Sequence, residues 1–356
     1  VEPLIFPNGR WSPPTPGDEA WLVAAAEPRH RLNGASSSHR PPVRVLYIAG
    51  HGRSGSTLLE QILAQGEGLV AVGELRHVWA RGVREDQLCG CQLPFSSCSF
   101  WGGVLDRAFG AGSVPDAATV LALQARVDRT RFIPSMLLPL AHRRFREAQL
   151  RYVELYVRLL RGVQEHTGAS TIVDSSKDPS LLYLLAACPD VDLRVLHLVR
   201  DARAVAHSWS QYKRRPEITG HTAWMPRYDP RRTALEWALR NLIIESARSL
   251  ARAYRQIRYE DLLAAPRHVV GGVLEGLLGM EQVPAGLEDR VFRPLRRNHC
   301  VAGNPVRFRT GEVELSLDES WKTAMSPRTA WSVTAIAAPV LRRYGYPLRP
   351  PLDGPT

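Results

Sequence analysis

Lysine is almost missing from this chain. Of its 46 lysines and arginines only Lys177, Lys213 and Lys322 are lysines, so each draws notice in a chain that otherwise uses arginine. Long hydrophobic runs are missing too: nothing approaches the roughly 20 apolar residues that cross a bilayer. The opening "VEPLIFPNGRWSPPTP" lacks the basic region and apolar run of a signal peptide, and the expectation is a soluble, cytoplasmic protein with no membrane span. Cysteine is scarce and odd in number, five in all, and only Cys89, Cys91 and Cys98 cluster, which argues against a disulfide framework. Acidic charge falls short of basic charge, leaving a net +11 that favours anionic partners: nucleic acid, a membrane surface or a phosphorylated small molecule.

The chain of 356 residues is 44% apolar, enough for a sizeable core in a single large domain. Residues 1–42, rich in Pro, Ser and Gly and ending in "ASSSHRPP", read as a loosely ordered arm. From residue 43 to 350 the pattern is α/β. "VRVLYIA" (43–49), "STIVDSS" (170–176), "DLRVLHLVR" (192–200) and "RQIRYEDL" (255–262) are short, β-branched or leucine-rich stretches set between helical ones. A helical insertion is expected over 102–168, its clearest part at 144–168 and closed by Gly168. Strands alternating with helices imply a P-loop-like parallel sheet that binds ligands at its carboxyl edge.

Chemistry concentrates first in "VLYIAGHGRSGSTLLEQIL" (45–63), an apolar strand, a glycine-rich turn and an amphipathic helix. Backbone N–H groups of such a turn converge on one point with the helix dipole behind them, which suits a phosphate-like anion. Gly50, Gly55 and Thr57 match the register of a nucleotide-triphosphatase loop, but Ser56 occupies the place of its lysine. Arg53, Ser54, Gly55, Ser56 and Thr57 therefore form a donor-dense turn built for some other anion. In "LHLVRDARAVAHSW" (196–209) a strand delivers Arg200 to the sheet edge and the following helix presents Ser208, two donors able to hold a second phosphate.

"GRSGSTLL" followed by "LVRDARAVAHS" resembles the sulfotransferases that use 3′-phosphoadenosine-5′-phosphosulfate (PAPS), in a bacterial branch. The resemblance implies that the first loop cradles the 5′-phosphosulfate, with Arg53 as its cation, and that Arg200 and Ser208 bind the 3′-phosphate. A sulfonate donor has no β/γ-phosphate pair, so neither the missing lysine nor a magnesium ion is needed, and no metal is expected. "VGELRHVW" (72–79) is similar to the tyrosylprotein-sulfotransferase segment whose glutamate is the catalytic base, which implies Glu74 in that role with Arg76 orienting it. "DSSKDPSLL" (174–182) resembles an element whose lysine stabilises the transition state, here Lys177; "RYEDLLAAP" (258–266) resembles one whose tyrosine lies beside the adenine, here Tyr259. "GNPVRFRTG" (303–311) looks like a basic loop that closes over the 3′-phosphate, with Arg307 the first choice and Arg309 second. His51, His77 and His207 are rival bases, His77 foremost.

The implied activity moves a sulfonate from PAPS to the hydroxyl of a small-molecule, glycan or lipid acceptor. Trp224, Tyr228 and the 102–168 helices are candidate walls of the acceptor pocket. One alternative is a P-loop kinase, which would need ATP and magnesium. Another is a basic nucleic-acid-binding protein, which would concentrate its arginines in a stripe with interleaved aromatics; here they are spread over the chain. "CGCQLPFSSCSFW" (89–101) raises zinc, with Cys300 or a histidine as fourth ligand, but C-x-C-x6-C is not a standard spacing. Buried thiols in a turn packed by Phe95, Phe100 and Trp101 are the expectation there.

Overall fold

Strands β1 (Val43–Gly50), β2 (Leu69–Gly73), β3 (Thr171–Lys177), β4 (Val191–Val199) and β5 (Ala253–Arg258) form one parallel sheet. Their spatial order is β2-β3-β1-β4-β5. This is a computed structural model; it describes residues 40–350 apart from 139–141, 221, 296 and 310, so all but the last three residues of the expected arm lie outside the described residues. β1 is central and buried on both faces, which is why it reads as a continuous apolar run. Val45, Tyr47 and Ala49 belong to one apolar cluster and Leu46 and Ile48 to another, as the alternation of a strand requires.

Helices α1 (Ser56–Leu63), α2 (Ser99–Phe109), α3 (Ala117–Val127), α4 (Ile133–Leu137), α5 (Arg143–Thr167), α6 (Pro179–Ala186) and α7 (Ala202–Ser210) follow in order. They continue as α8 (Pro230–Ser246), α9 (Tyr259–Ala264), α10 (Pro266–Leu278), α11 (Trp321–Ala324) and α12 (Pro327–Arg343). Apolar residues of α2, α3, α5 and α6 pack on the Val45 face, and those of α1, α9 and α10 on the Leu46 face. A third cluster joins α7, α8 and α12 beyond the end of β4. The four helices α2 to α5 occupy the chain between β2 and β3, and Gly168, at φ 70°, closes α5 in the left-handed conformation that favours glycine.

Two details differ from the sequence expectation. "LVAVG" forms the edge strand β2, a fifth strand beyond the four expected. "RQIRYEDL" is not a strand throughout: it leaves the sheet at Arg258 and turns into α9 at Tyr259. Glu260 and Asp261 stand in the first turn of that helix, where acidic side chains offset the positive dipole end, and Arg258 Nε donates to Asp261 at 2.9 Å.

β2 gains a neighbour from far along the chain. Val301 N–H donates to Val72 O at 2.9 Å and Glu74 N–H to Val301 O at 2.8 Å. Gly73 makes this approach possible: its φ is 78°, and a Cβ there would lie 2.3 Å from Val301 O. The C-terminal segment after residue 300 is thereby brought to the carboxyl edge of the sheet.

Candidate active site

A cavity of about 700 Å³ opens where β1, β3 and β4 end, beside Glu74 just past β2. Its floor is the turn between β1 and α1. Gly55 stands at the helix start with φ 93°, and a Cβ there would lie 2.2 Å from the Tyr259 ring. Gly52 is likewise held 2.8 Å, measured from an added Cβ, from Trp209. Backbone and aromatic rings thus approach more closely than any side chain would allow. Arg53 is one of the few non-glycine residues at positive φ (73°), a conformation held at a cost of about 1–3 kcal/mol that such sites tolerate. Its guanidinium lies 4.6 Å over the Trp209 ring, and its Nε has no hydrogen-bond partner among the described residues. Ser56 and Thr57 line the cavity; Ser54 is buried behind it with its hydroxyl likewise unpartnered.

The end of β2 and the end of β3 bring Glu74 and Lys177 together across 103 residues of chain: Lys177 Nζ donates to Glu74 Oε1 at 2.6 Å and to Ser175 O at 2.8 Å. Lys177, like Arg53, has a positive φ, 64°. His77 Nε2 lies 3.5 Å and Arg81 Nη1 3.9 Å from Glu74 Oε2. Burial pushes the Glu74 carboxyl up, but Lys177, His77 and Arg81 together outweigh it and hold the group at about 2. Burial and then Arg81 push His77 down to about 3, so its ring is neutral at pH 7. His51 is driven down to about 3 in the same way, by burial and then Arg240.

Arg200 leaves the end of β4 with its guanidinium 4.9 Å over the Tyr259 ring. Its Nη1 donates to Arg53 O and its Nη2 to Asp318 O, each at 3.1 Å, while its Nε has no partner among the described residues. Ser208 on α7 accepts from Lys213 Nζ at 3.1 Å. These residues share the cavity with the β1–α1 turn.

Three expectations change. Arg76 does not orient Glu74: its Nε donates to Asp128 Oδ2 at 2.7 Å and its Nη2 to Asp128 O at 2.8 Å. Arg307 does not face the cavity: it is 1% exposed, with Nη1 on Gly303 O (3.0 Å) and Nη2 on Leu88 O (3.3 Å), whereas Arg309 lines the cavity. Trp224 stays outside the cavity wall, about half exposed and edge-on to Tyr212; Met225, Pro226 and Tyr228 line the wall instead, and no described residue of 102–168 does.

Sequence reasoning passed over Glu60. This residue of α1 is 1% exposed and accepts from Gly73 N–H at 2.6 Å and from the Ser175 hydroxyl at 2.7 Å. One carboxyl therefore ties the residue before Glu74 to the residue whose carbonyl holds Lys177. An acid beside Gln61 within the leucine- and isoleucine-rich stretch "LLEQIL" was the available signal. The cysteine stretch also gains a member: Cys89, Cys91 and Cys98 gather with His299, their ligand atoms all within 4.8 Å of one another. Cys300, the alternative fourth partner, is not in the group.

The profile of the sulfotransferase family matches residues 46–282 of the chain. Among solved structures, the sulfotransferase domain from the curacin biosynthetic pathway is 22% identical, with 87% of this chain and 100% of that one covered and a TM-score of 0.47. The sulfotransferase domain from the Synechococcus PCC 7002 olefin synthase is 19% identical over 88% and 99% of the two chains, with a TM-score of 0.42. Sulfotransferase STF1 from Mycobacterium tuberculosis H37Rv is 15% identical over 67% of each chain, with a TM-score of 0.36. No curated protein matches the chain.

Proposed function

The chain belongs to the sulfotransferase family, and from that premise we propose that it moves a sulfonate group from PAPS to a hydroxyl of a small-molecule, glycan or lipid acceptor. The observation that carries this reading is the sharing of one cavity by the anion-type turn, Arg200 with Ser208, and the Glu74–Lys177 pair. Arg53 Nε and Arg200 Nε, on residues that line the cavity, are buried without partners among the described residues, and buried donors in that state suit a bound anion. Two anion positions, one at the turn and one at Arg200 and Ser208, fit a donor carrying a phosphosulfate and a separate 3′-phosphate. Arg309 is the cation of the C-terminal loop that faces them.

In the reaction the acceptor oxygen attacks sulfur, the bond from sulfur to the 5′-phosphate oxygen breaks, and the acceptor proton passes to a base. The products are a sulfate ester and the adenosine bisphosphate. Glu74 takes the proton. Paired with Lys177 it is too acidic to do so well; when Lys177 turns to the bridging oxygen of the donor, the carboxylate loses its strongest counter-charge and becomes more basic. Lys177 and Arg53 stabilise the charge that grows on the leaving phosphate. Lys177 suits this role as a compact point charge aimed at one oxygen. His77, neutral and beside Glu74, orients the carboxylate.

Calorimetric titration with 3′-phosphoadenosine-5′-phosphate, and separately with ATP and magnesium, tests the donor. Binding of the bisphosphate is expected; ATP binding with none of the bisphosphate overturns the reading in favour of a kinase. For the base, Glu74→Gln is expected to lower kcat by about 10²–10⁴. Near-wild-type transfer by that variant, with activity lost in His77→Ala, would transfer the role to the histidine.

A further inference from the structure

We propose that Cys89, Cys91, Cys98 and His299 form a structural zinc site that fastens the C-terminal loop to the catalytic edge of the sheet. Cys98 Sγ lies 3.7 Å from the sulfurs of both Cys89 and Cys91. His299 Nδ1 lies 3.3 Å from Cys98 Sγ and 3.9 Å from Cys89 Sγ. A tetrahedral zinc with bonds of about 2.3 Å to sulfur and about 2.0–2.1 Å to nitrogen sets its ligand atoms about 3.6–3.8 Å apart. These four separations scatter around those values, and all six pairs lie within 4.8 Å. They are far from the roughly 2.05 Å of a disulfide, and three thiols cannot all be satisfied by pairing.

The surrounding chain is arranged to hold the four donors. Cys89 and Cys91 sit in a tight hairpin: Cys89 N–H donates to Leu93 O and Gln92 N–H to Cys89 O, with Gln92 at a positive φ of 68°. Cys98 precedes the first turn of α2, where the helix dipole favours a thiolate. The His299 ring is stacked flat on Phe100, centroids 4.5 Å apart and planes 4° from parallel, which fixes the direction of Nδ1. Trp101 Nε1 donates to His299 O at 2.9 Å. Such outer contacts orient a ligand before metal arrives. Gly90 lets the two segments meet: a Cβ there would lie 1.8 Å from Asn298 Oδ1, and its N–H donates to Cys300 O.

The position gives the site its task. The ligand segments are more than 200 residues apart, and immediately after His299 the chain pairs with β2, with Val301 on Val72 and Glu74. It then reaches the anion-type turn, where Asn304 N–H donates to Thr57 Oγ1 at 3.2 Å. A metal at this point holds the loop that frames the cavity without touching the reacting atoms. The thiols and the imidazole suffice for this site, whatever group the cavity transfers.

The test is metal analysis of the full chain purified from zinc-supplemented cells, followed by replacement with cobalt. The expected result is one zinc per chain, and on replacement the visible bands of tetrahedral thiolate-bound cobalt. Cys91→Ser and His299→Ala are expected to lose the metal or bind it at least tenfold more weakly, while Cys188→Ser keeps it. Wild-type protein that carries no zinc and develops no thiolate–cobalt bands overturns the proposal. So does zinc retained in full by both Cys91→Ser and His299→Ala, since the ion would then lie elsewhere.

Discussion

Lys177 and Glu74 show how one contact sets the acidity of a carboxyl. The lysine is the largest of the influences that lower the Glu74 carboxyl, and burial opposes it. Lys177→Met removes that charge at nearly constant volume, so the carboxyl is expected to rise from about 2, with burial then opposed only by His77 and Arg81. The acid limb of the kcat/KM profile, which reports the free enzyme, then moves to higher pH, and kcat falls by about 10²–10³. A variant profile superimposable on the wild type would remove the ion pair from the mechanism. Arginine cannot replace this lysine well, since a planar fork shares its charge over several donors. That gives a physical reason for a lysine here in a chain that otherwise uses arginine.

Helix α1 does more than line the cavity with its first turn. Its Glu60 fastens the ends of β2 and β3, and burial, only partly offset by Ser175 and Gly73, pushes that carboxyl up to about 8. The folded protein thus keeps a proton on Glu60 between the ordinary value of 4.5 and about 8 that the unfolded chain gives up. Stability from this group is complete below 4.5 and declines as pH rises through about 8. Glu60→Gln, which keeps a neutral amide in place of a neutral acid, is expected to flatten that decline. Urea midpoints measured from pH 4.5 to 8.5 should show the wild type losing ground to the variant as pH rises, with the two closest at the acid end. Equal slopes would mean that Glu60 is ionised in the fold. An acid in this helix stretch could draw notice, but its partners on β2 and β3 were not legible in α1 taken by itself.

Across the whole molecule, basic charge and sheet topology act together. The chain carries a net charge of +11, and Arg53, Arg200, Lys213 and Arg309 are among the residues that line the cavity. The bisphosphate is therefore expected to bind about tenfold more weakly as ionic strength rises from 0.05 to 0.5 M, because screening shortens the reach of these charges. Adenosine, which is uncharged, should show almost no change; an equal loss for both would place the effect in the protein's own stability. Among the described residues no helix is long and apolar enough to cross a membrane.

Much of the cavity edge is legible in the sequence alone. The strand, turn and helix around Gly50–Thr57 and the strand-to-helix passage from Arg200 to Ser208 are local features, encoded by glycines, apolar runs and caps within a few residues of one another. Sequence determined these, and with them the parallel α/β class, because backbone conformation answers chiefly to near neighbours. Tertiary structure decided the partners. It set Arg76 on Asp128 and not on Glu74, turned Arg307 inward and left Arg309 at the cavity, and delivered His299 to three cysteines. Each of those outcomes depends on which distant segment packs alongside, and spacing along one chain carries no record of that.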